Sequence, residues 1–284
     1  MRTRLRRALQ RTYRLGGPWP VFGPRRLKEL LGRYGLDPRQ AHPRVFDIES
    51  LSHFRQAGTL ALFDALRIGK RHRVLSLGEG LGAPSRLLAK TVGCRVTGVD
   101  LLPRQVATAR AMAAAAGLEG RLEYLCQDAH ALDLGPRRFD RLYVCDSMAH
   151  WNDKASALRG ASRWLKHGAL AGCNDWLAGD EGDIEAAAKR MPSVRRAFER
   201  GILFQVDLKA EAGAFEGAGF EILSAQDVTA EVDETTRRRL AVLEAFRPVL
   251  AADEALGIAY FKVMLDLHFR FVRYGRVTAR LVRK

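Results

Sequence analysis

The stretch Val74-Leu75-Ser76-Leu77-Gly78-Glu79-Gly80-Leu81-Gly82 is the first place where residue type and spacing suggest chemistry. An apolar run of strand character feeds three alternating glycines and then a helix-forming segment. Glycines let bare backbone approach a ligand, and the amides at the following helix start point towards it. Asp100 stands 22 residues after Gly78, at the end of Arg95-Val96-Thr97-Gly98-Val99-Asp100. A carboxylate at that second strand end can accept both ribose hydroxyls of a nucleoside. A third strand closes as Leu125-Cys126-Gln127-Asp128-Ala129, where an acid can receive an adenine amino group. A fourth ends in Cys145-Asp146-Ser147-Met148-Ala149-His150-Trp151, with Asp146 and His150 four apart, so one helical turn would set both on one side.

The elements that must carry these residues alternate. Arg73–Leu77, Arg95–Val99, Leu122–Cys126, Arg141–Cys145 and Ala169–Asn174 read as strands. Pro84–Val92, Arg104–Ala116 and Lys154–Leu165 read as the helices between them. This order predicts an α/β fold, a parallel sheet with helices on both faces. The flanks differ. Residues 1–65 read as a basic helical cap with a helix over Leu27–Gly35, another over Leu51–Leu66, and a break at Gly16-Gly17-Pro18-Trp19-Pro20. Residues 66–284 form the main domain. It includes a helical lid over about 178–215 with a helix at Asp183–Gly201, a further helix at Leu208–Ala218, a strand at Phe220–Ala225, helix from Thr235 to Leu267, and a last strand at Arg276–Val282.

Together the three strand ends resemble the class I S-adenosylmethionine-dependent methyltransferases, in particular the small-molecule branch of sarcosine/glycine, tocopherol, sterol and prenyl-diphosphate methyltransferases. The phrases that carry the resemblance are Val99–Val106, Asp140–Trp151, Arg163–Gly168 and Ala218–Ile222, beside the glycine loop. The resemblance spans about Leu51 to the C-terminus. It implies a Rossmann-like, seven-stranded, mostly parallel sheet with its last strand antiparallel, and S-adenosyl-L-methionine as cofactor. It places Ser76, Gly78, Gly80, Gly82, Asp100, Leu101, Gln105, Asp128 and Ala129 at that cofactor, and His150 and Asp146 at the junction with the acceptor. His53, Trp151 and Trp176 are further candidates for the acceptor side, with Trp19, Phe22 and Phe204 as other pocket walls. Where relatives usually carry an acid two residues before the first glycine, this chain has Ser76. An uncharged hydroxyl gives roughly half the interaction strength of a charge-assisted partner, and Glu79 is placed to compensate.

The expected reaction is methyl transfer to a small, hydrophobic natural-product or lipid-like acceptor. Two other readings stay open: an RNA methyltransferase, and a cofactor binder without turnover. The net charge of +15 invites the first of these, but no separate RNA-binding module shows and CDSMAH lacks the Asn/Asp-Pro-Pro-aromatic pattern of base-amine methylation. The charge is concentrated: residues 1–40 hold ten Arg and one Lys against Glu29 and Asp37, and residues 262–284 hold seven basic residues against Asp266. Such ends suit weak contact with an anionic membrane or phosphate, and the N-terminal stripe Leu5, Leu9, Tyr13 gives an amphipathic helix. Four cysteines without CxxC spacing argue against zinc and disulfides. The Arg-rich start lacks an apolar signal core, so the expectation is a cytoplasmic protein, peripheral to membrane at most.

Overall fold

The computed structural model describes residues 2–13, 23–50, 52–180, 199–245 and 270–282, together with residues 189, 195, 262 and 265. Seven strands form one sheet: β1 (Arg73–Leu77), β2 (Arg95–Asp100), β3 (Leu122–Cys126), β4 (Phe139–Cys145), β5 (Leu165–Ala178), β6 (Phe220–Asp227) and β7 (Val272–Leu281). Their order is β3-β2-β1-β4-β5-β7-β6. The first five strands are parallel, and β7 runs antiparallel between β5 and β6. The order reverses beside β1, so the loops after β1, β2 and β4 open on one crevice at the carboxyl ends of the strands, the usual ligand position in open α/β sheets.

Helices α4 (Arg55–Ala65), α5 (Ala83–Thr91) and α6 (Pro103–Ala115) cover one face. There Leu62, Phe63, Leu66, Leu88, Val106 and Ala109 pack on Val74, Val96, Tyr124 and Tyr143. Helices α7 (Lys154–Ser162) and α8 (Leu208–Glu216) cover the other, with Leu158, Ala161 and Phe215 against Leu75, Leu142, Val144 and Val277. Local chemistry starts these helices where they begin. Proline occupies the first turn of α5 and α6, where its missing N–H costs nothing. Asp153 and Asp207 cap α7 and α8 by accepting from Ser156 N (2.9 Å) and Ala210 N (2.7 Å).

The N-terminal part is helical: α1 (Arg2–Thr12), α2 (Pro24–Arg33) and α3 (Pro43–Glu49). It lies docked on the main domain. The apolar stripe of α1 is already used, because Ala8 and Leu9 are buried against Leu102 and Ile202. Leu27 and Leu31 of α2 and Val45 of α3 pack on Leu81 of the glycine loop and Met112 of α6. Helix α4, expected within the cap, lies instead in the core of the main domain. It starts four residues later than the sequence suggests, at Arg55, whose φ of +55° marks the chain's turn into it.

The β5 strand is longer than expected, because its Leu170–Ala178 half pairs continuously with Arg280–Val272 of β7. Long-range pairing extends both strands past their locally apolar segments. Helix α9 (Thr229–Ala245) begins before the expected Thr235. The glycine-proline break, Trp19, Phe22, nearly all of the expected helix at 183–201 and the C-terminal part of the 235–267 helix lie outside the described residues. Among the described residues no helix is long and apolar enough to cross a membrane.

Candidate functional site

The glycine loop sits directly beneath the turn that follows β4. Gly78, Gly80 and Gly82 all have positive φ (70°, 60° and 79°). At Gly78 a side chain is excluded twice over: an added Cβ would lie 1.8 Å from Ser147 Oγ and 2.3 Å from Ser147 Cβ. The loop amides of Gly78 and Glu79 donate to Val99 O (2.8 and 3.1 Å), which fastens the loop to the end of β2.

Asp100 closes this arrangement. Its Oδ2 accepts from Gly80 N and its Oδ1 from Leu102 N, both at 2.8 Å. A carboxylate offers about four lone-pair positions. Backbone takes two, so two remain for a ribose diol. In this structure the Gln105 amide nitrogen covers them, lying 2.8 Å from Oδ1 and 3.3 Å from Oδ2 in the orientation that its neighbours require. Burial pushes the Asp100 carboxyl up to about 6, despite the two amides that hold it down. Leu101, following it, is half-buried against the inner side of α1. Asp128 stands two residues past the end of the neighbouring strand β3. Its Oδ1 accepts from His130 N (2.9 Å) and meets His130 Nδ1 at 3.2 Å, and Ala129 is half-buried behind it.

Ser76 behaves differently from its sequence expectation. It is 1% exposed, lies on the face covered by α4, α5 and α6, and donates to Glu79 Oε2. Glu79 in turn is buried and fully engaged. Tyr143 Oη donates to Oε2 (2.9 Å) and Ser85 N to Oε1 (3.0 Å). Burial raises the Glu79 carboxyl, and Ser76, Ser85 and Tyr143 offset part of that shift. The side chain fits only because β2 has Gly98 opposite, where a Cβ would come 2.8 Å from Glu79 Cγ. Ser76 and Glu79 therefore tie β1 to the first turn of α5 from below. Both side chains are buried, Ser76 at 1% and Glu79 at 6% exposure.

The turn after β4 carries the remaining candidates. Asp146 has φ of +51°, a strained setting for a residue with a side chain. Several contacts hold it there. His53 donates its backbone N–H to Asp146 Oδ2 (2.9 Å), and His53 Nδ1 lies 3.2 Å from Oδ1. Asp146 N donates to Asn174 O (2.9 Å). Below it, Asp175 Oδ2 accepts from Ser147 N (3.0 Å) and Met148 N (2.5 Å). Lys154 Nζ, also buried, donates to Met148 O (2.7 Å) and Phe204 O (2.6 Å). Burial and the nearby Asp146 both raise the Asp175 carboxyl.

Asp146 and His150 do not pair with each other. The 3₁₀ turn Met148–His150 turns His150 away to Tyr13, whose Oη lies 2.7 Å from His150 Nε2, while His150 Nδ1 lies 2.7 Å from Ile202 O. A carbonyl can only accept, so Nδ1 carries the hydrogen and Nε2 accepts from the Tyr13 hydroxyl. Burial lowers His150 to about 4, so its ring is neutral at ordinary pH. Trp176 bridges the two histidines, its ring 6.1 Å from His150 and 5.7 Å from His53; Tyr274, its cross-strand partner on β7, stands 5.8 Å from His53. Trp151 packs into the core with its edge towards His130.

The sequence reading missed Tyr13 as a site residue, along with Lys154, Asp175 and Tyr274. Tyr13 had a signal, since it continues the Leu5, Leu9 stripe, and a stripe docks. Asp175 also had one, standing beside a polar neighbour at the end of an apolar strand.

Similarity to known proteins agrees with this geometry. A family model described as a methyltransferase domain matches residues 74–168. Over 239 residues the chain is 28% identical to methyltransferase GfsG of Streptomyces halstedii, covering 83% of this chain and 82% of that protein. It is 28% identical over 163 residues to sterol 24-C-methyltransferase ERG6B of Gibberella zeae, covering 57% of this chain and 43% of that one. Among solved structures it superposes on phosphoethanolamine N-methyltransferase 2 of Haemonchus contortus with a TM-score of 0.73 at 19% identity, covering 94% of this chain and 62% of that one. The chain thus spans most of GfsG but less than two thirds of the other two.

Proposed function

We propose that the chain is a class I S-adenosylmethionine-dependent methyltransferase of the small-molecule branch, which transfers a methyl group to a small, hydrophobic acceptor. One observation carries the reading above the others: Asp100 is fixed by the Gly80 and Leu102 amides beside the glycine loop, and its two further acceptor positions are held only by the Gln105 amide, which a ribose diol can displace. That donor and acceptor set fits a nucleoside. Asp100 and Gln105 take the ribose, Leu101, Asp128 and Ala129 the adenine side, and Gly78, Gly80 and Gly82 the backbone approach. Ser76 acts through Glu79 beneath the loop. When bound, S-adenosyl-L-methionine supplies an electrophilic methyl carbon on a sulfonium.

The chain's own residues then orient the acceptor and keep out water. Tyr13 Oη is polarised by the neutral His150, whose lone pair at Nε2 holds the phenolic hydrogen. The hydroxyl oxygen keeps lone pairs that can accept a hydrogen bond from an N–H or O–H of the acceptor, with no charge buried in the pair. Asp146 and His53, walled by Trp176 and Tyr274, present a polar edge on an apolar surface, and Trp151 supports the turn from the core. An apolar acceptor with one polar reacting atom matches this lining. The relatives point the same way, since GfsG and ERG6B are named as methyltransferases and the latter acts on a sterol.

The test is transfer of tritiated methyl to a lipid extract and, in parallel, to total RNA. The proposal expects label in the organic phase. Label in RNA would favour the nucleic-acid reading. Cofactor binding without transfer to either pool would favour a silent binder.

The exposed arginines of α1, Arg4, Arg6, Arg7 and Arg11, support weak contact with anionic lipid. Because Ala8 and Leu9 are already buried, that contact would be electrostatic alone, each surface-near arginine adding about 1 kcal/mol. Co-sedimentation with anionic vesicles should occur at low salt and vanish at high salt. Equal binding to neutral vesicles would refute it.

A further inference from the structure

Arg86 on α5 is completely buried, yet it lies outside the crevice and none of the roles above uses it. Its guanidinium faces two ways. Nε and Nη2 donate to Glu49 Oε2 at 3.0 and 2.8 Å, and Nη1 donates to Leu81 O at 2.6 Å. Glu49 is the last residue of α3 and is 1% exposed. Leu81 stands between the second and third glycines of the loop. Its side chain is held by Leu27, Leu31 and Val45 of the N-terminal helices. The same loop residue is thus gripped through its side chain by α2 and α3 directly, and through its carbonyl by α3 by way of one arginine.

Burying a charged pair is expensive, and a hydrophobic pair of similar volume often stabilises as well or better. Bulk stability therefore gives little reason to keep this pair. A planar fork that reaches two separate acceptors does give one, because it fixes the loop carbonyl relative to α3 with a geometry that neither a lysine nor an apolar side chain can reproduce.

We propose that Arg86 and Glu49 are positioning residues for the cofactor: they set the glycine loop from beneath, so that α2 and α3 belong to the foundation of the cofactor site. The inference rests on the cofactor reading above. It has a consequence for the N-terminal helices. A cap that serves only the acceptor could be disturbed without loss of cofactor affinity, whereas this one could not.

The decisive variant is Arg86→Lys. Lysine keeps a cation for Glu49 but has a single ammonium in place of the fork, so the bond to Leu81 O is lost. Isothermal calorimetry with S-adenosylmethionine should show binding weakened about tenfold, the worth of one hydrogen bond from a charged donor. Amide hydrogen exchange in the cofactor-free protein should quicken at residues 81–83 and stay unchanged in β5 and β7. A second variant, Glu49→Leu with Arg86→Met, removes both charges and retains apolar bulk. It should melt close to wild type and show the same loss of affinity. Affinity within twofold of wild type in either folded variant, with unaltered exchange at 81–83, would overturn the proposal. Failure of the wild-type protein to bind S-adenosylmethionine would instead overturn the cofactor reading on which it stands.

Discussion

Replacing Asp100 by asparagine tests the cofactor site at its centre, because the structure gives each acceptor position a use. The two carboxylate oxygens serve different amides, Gly80 N on Oδ2 and Leu102 N on Oδ1. Asparagine has one acceptor oxygen, so one of those amides must face an NH₂ group. A buried donor left unmatched costs about 1–3 kcal/mol of stability, and with Asp100 only 9% exposed, water cannot repair it. Cofactor binding suffers more. Two ribose hydrogen bonds to a charged acceptor, each about 1.5–3 kcal/mol, become at best one neutral bond. The net loss is about 2–4 kcal/mol, a fall in affinity of roughly 30- to 1,000-fold.

The pH dependence supplies a sharper criterion. Burial raises this carboxyl to about 6, so between pH 7 and pH 5 it gains a proton that blocks a hydroxyl donor. Cofactor affinity is therefore full above about pH 7 and lost as pH falls, by about tenfold at pH 5 if only the ionised form binds. The cofactor's own carboxylate and ammonium keep their charges over that interval. Calorimetric titrations of wild type and Asp100→Asn at pH 7, 6 and 5 should show a slope in the first and none in the second. A flat wild-type profile, or an Asp100→Asn profile with the same slope, would refute the assignment.

Tyr13→Phe leaves His150 Nε2 as a buried acceptor without its hydroxyl; differential scanning calorimetry should record a loss of about 1–3 kcal/mol, and methyl transfer should fall far more than cofactor affinity. Equal losses of both would remove Tyr13 from the acceptor side. Gly78→Ala should abolish cofactor binding, since its Cβ collides with Ser147 and the φ of +70° is strained for alanine. Adding Ser147→Gly should restore part of the thermal stability by relieving the collision, and no recovery would mean that backbone strain alone decides.

Much of the main domain was legible because its signals are local. Apolar runs of strand length, prolines at helix starts and acids at strand ends each act within a few residues of themselves. Val74–Gly82, Asp100 and Asp128 could therefore be placed in order along the chain, and with them the parallel sheet. The ends of the long strands were not legible. Ala178 and Val272 are strand residues because they pair with each other across the β5–β7 ladder, and pairing partners 94 positions apart leave no local trace.

The site divides along the same line. Its glycines and acids were read from spacing, but the directions of its side chains were decided by tertiary contacts. Ser76 and Glu79 looked like two candidates for the cofactor, and Gly98 on a different strand opened the space that draws both inward. Asp146 and His150 looked like a pair at helical spacing, and His53 and Tyr13, from 93 and 137 residues away, took them in opposite directions. A side chain of either type has several lone pairs or hydrogens to satisfy, and composition says only that it needs partners. Which partner wins depends on what the folded backbone brings within 3 Å, and that is a property of the assembled sheet and its docked N-terminal helices rather than of any stretch of sequence.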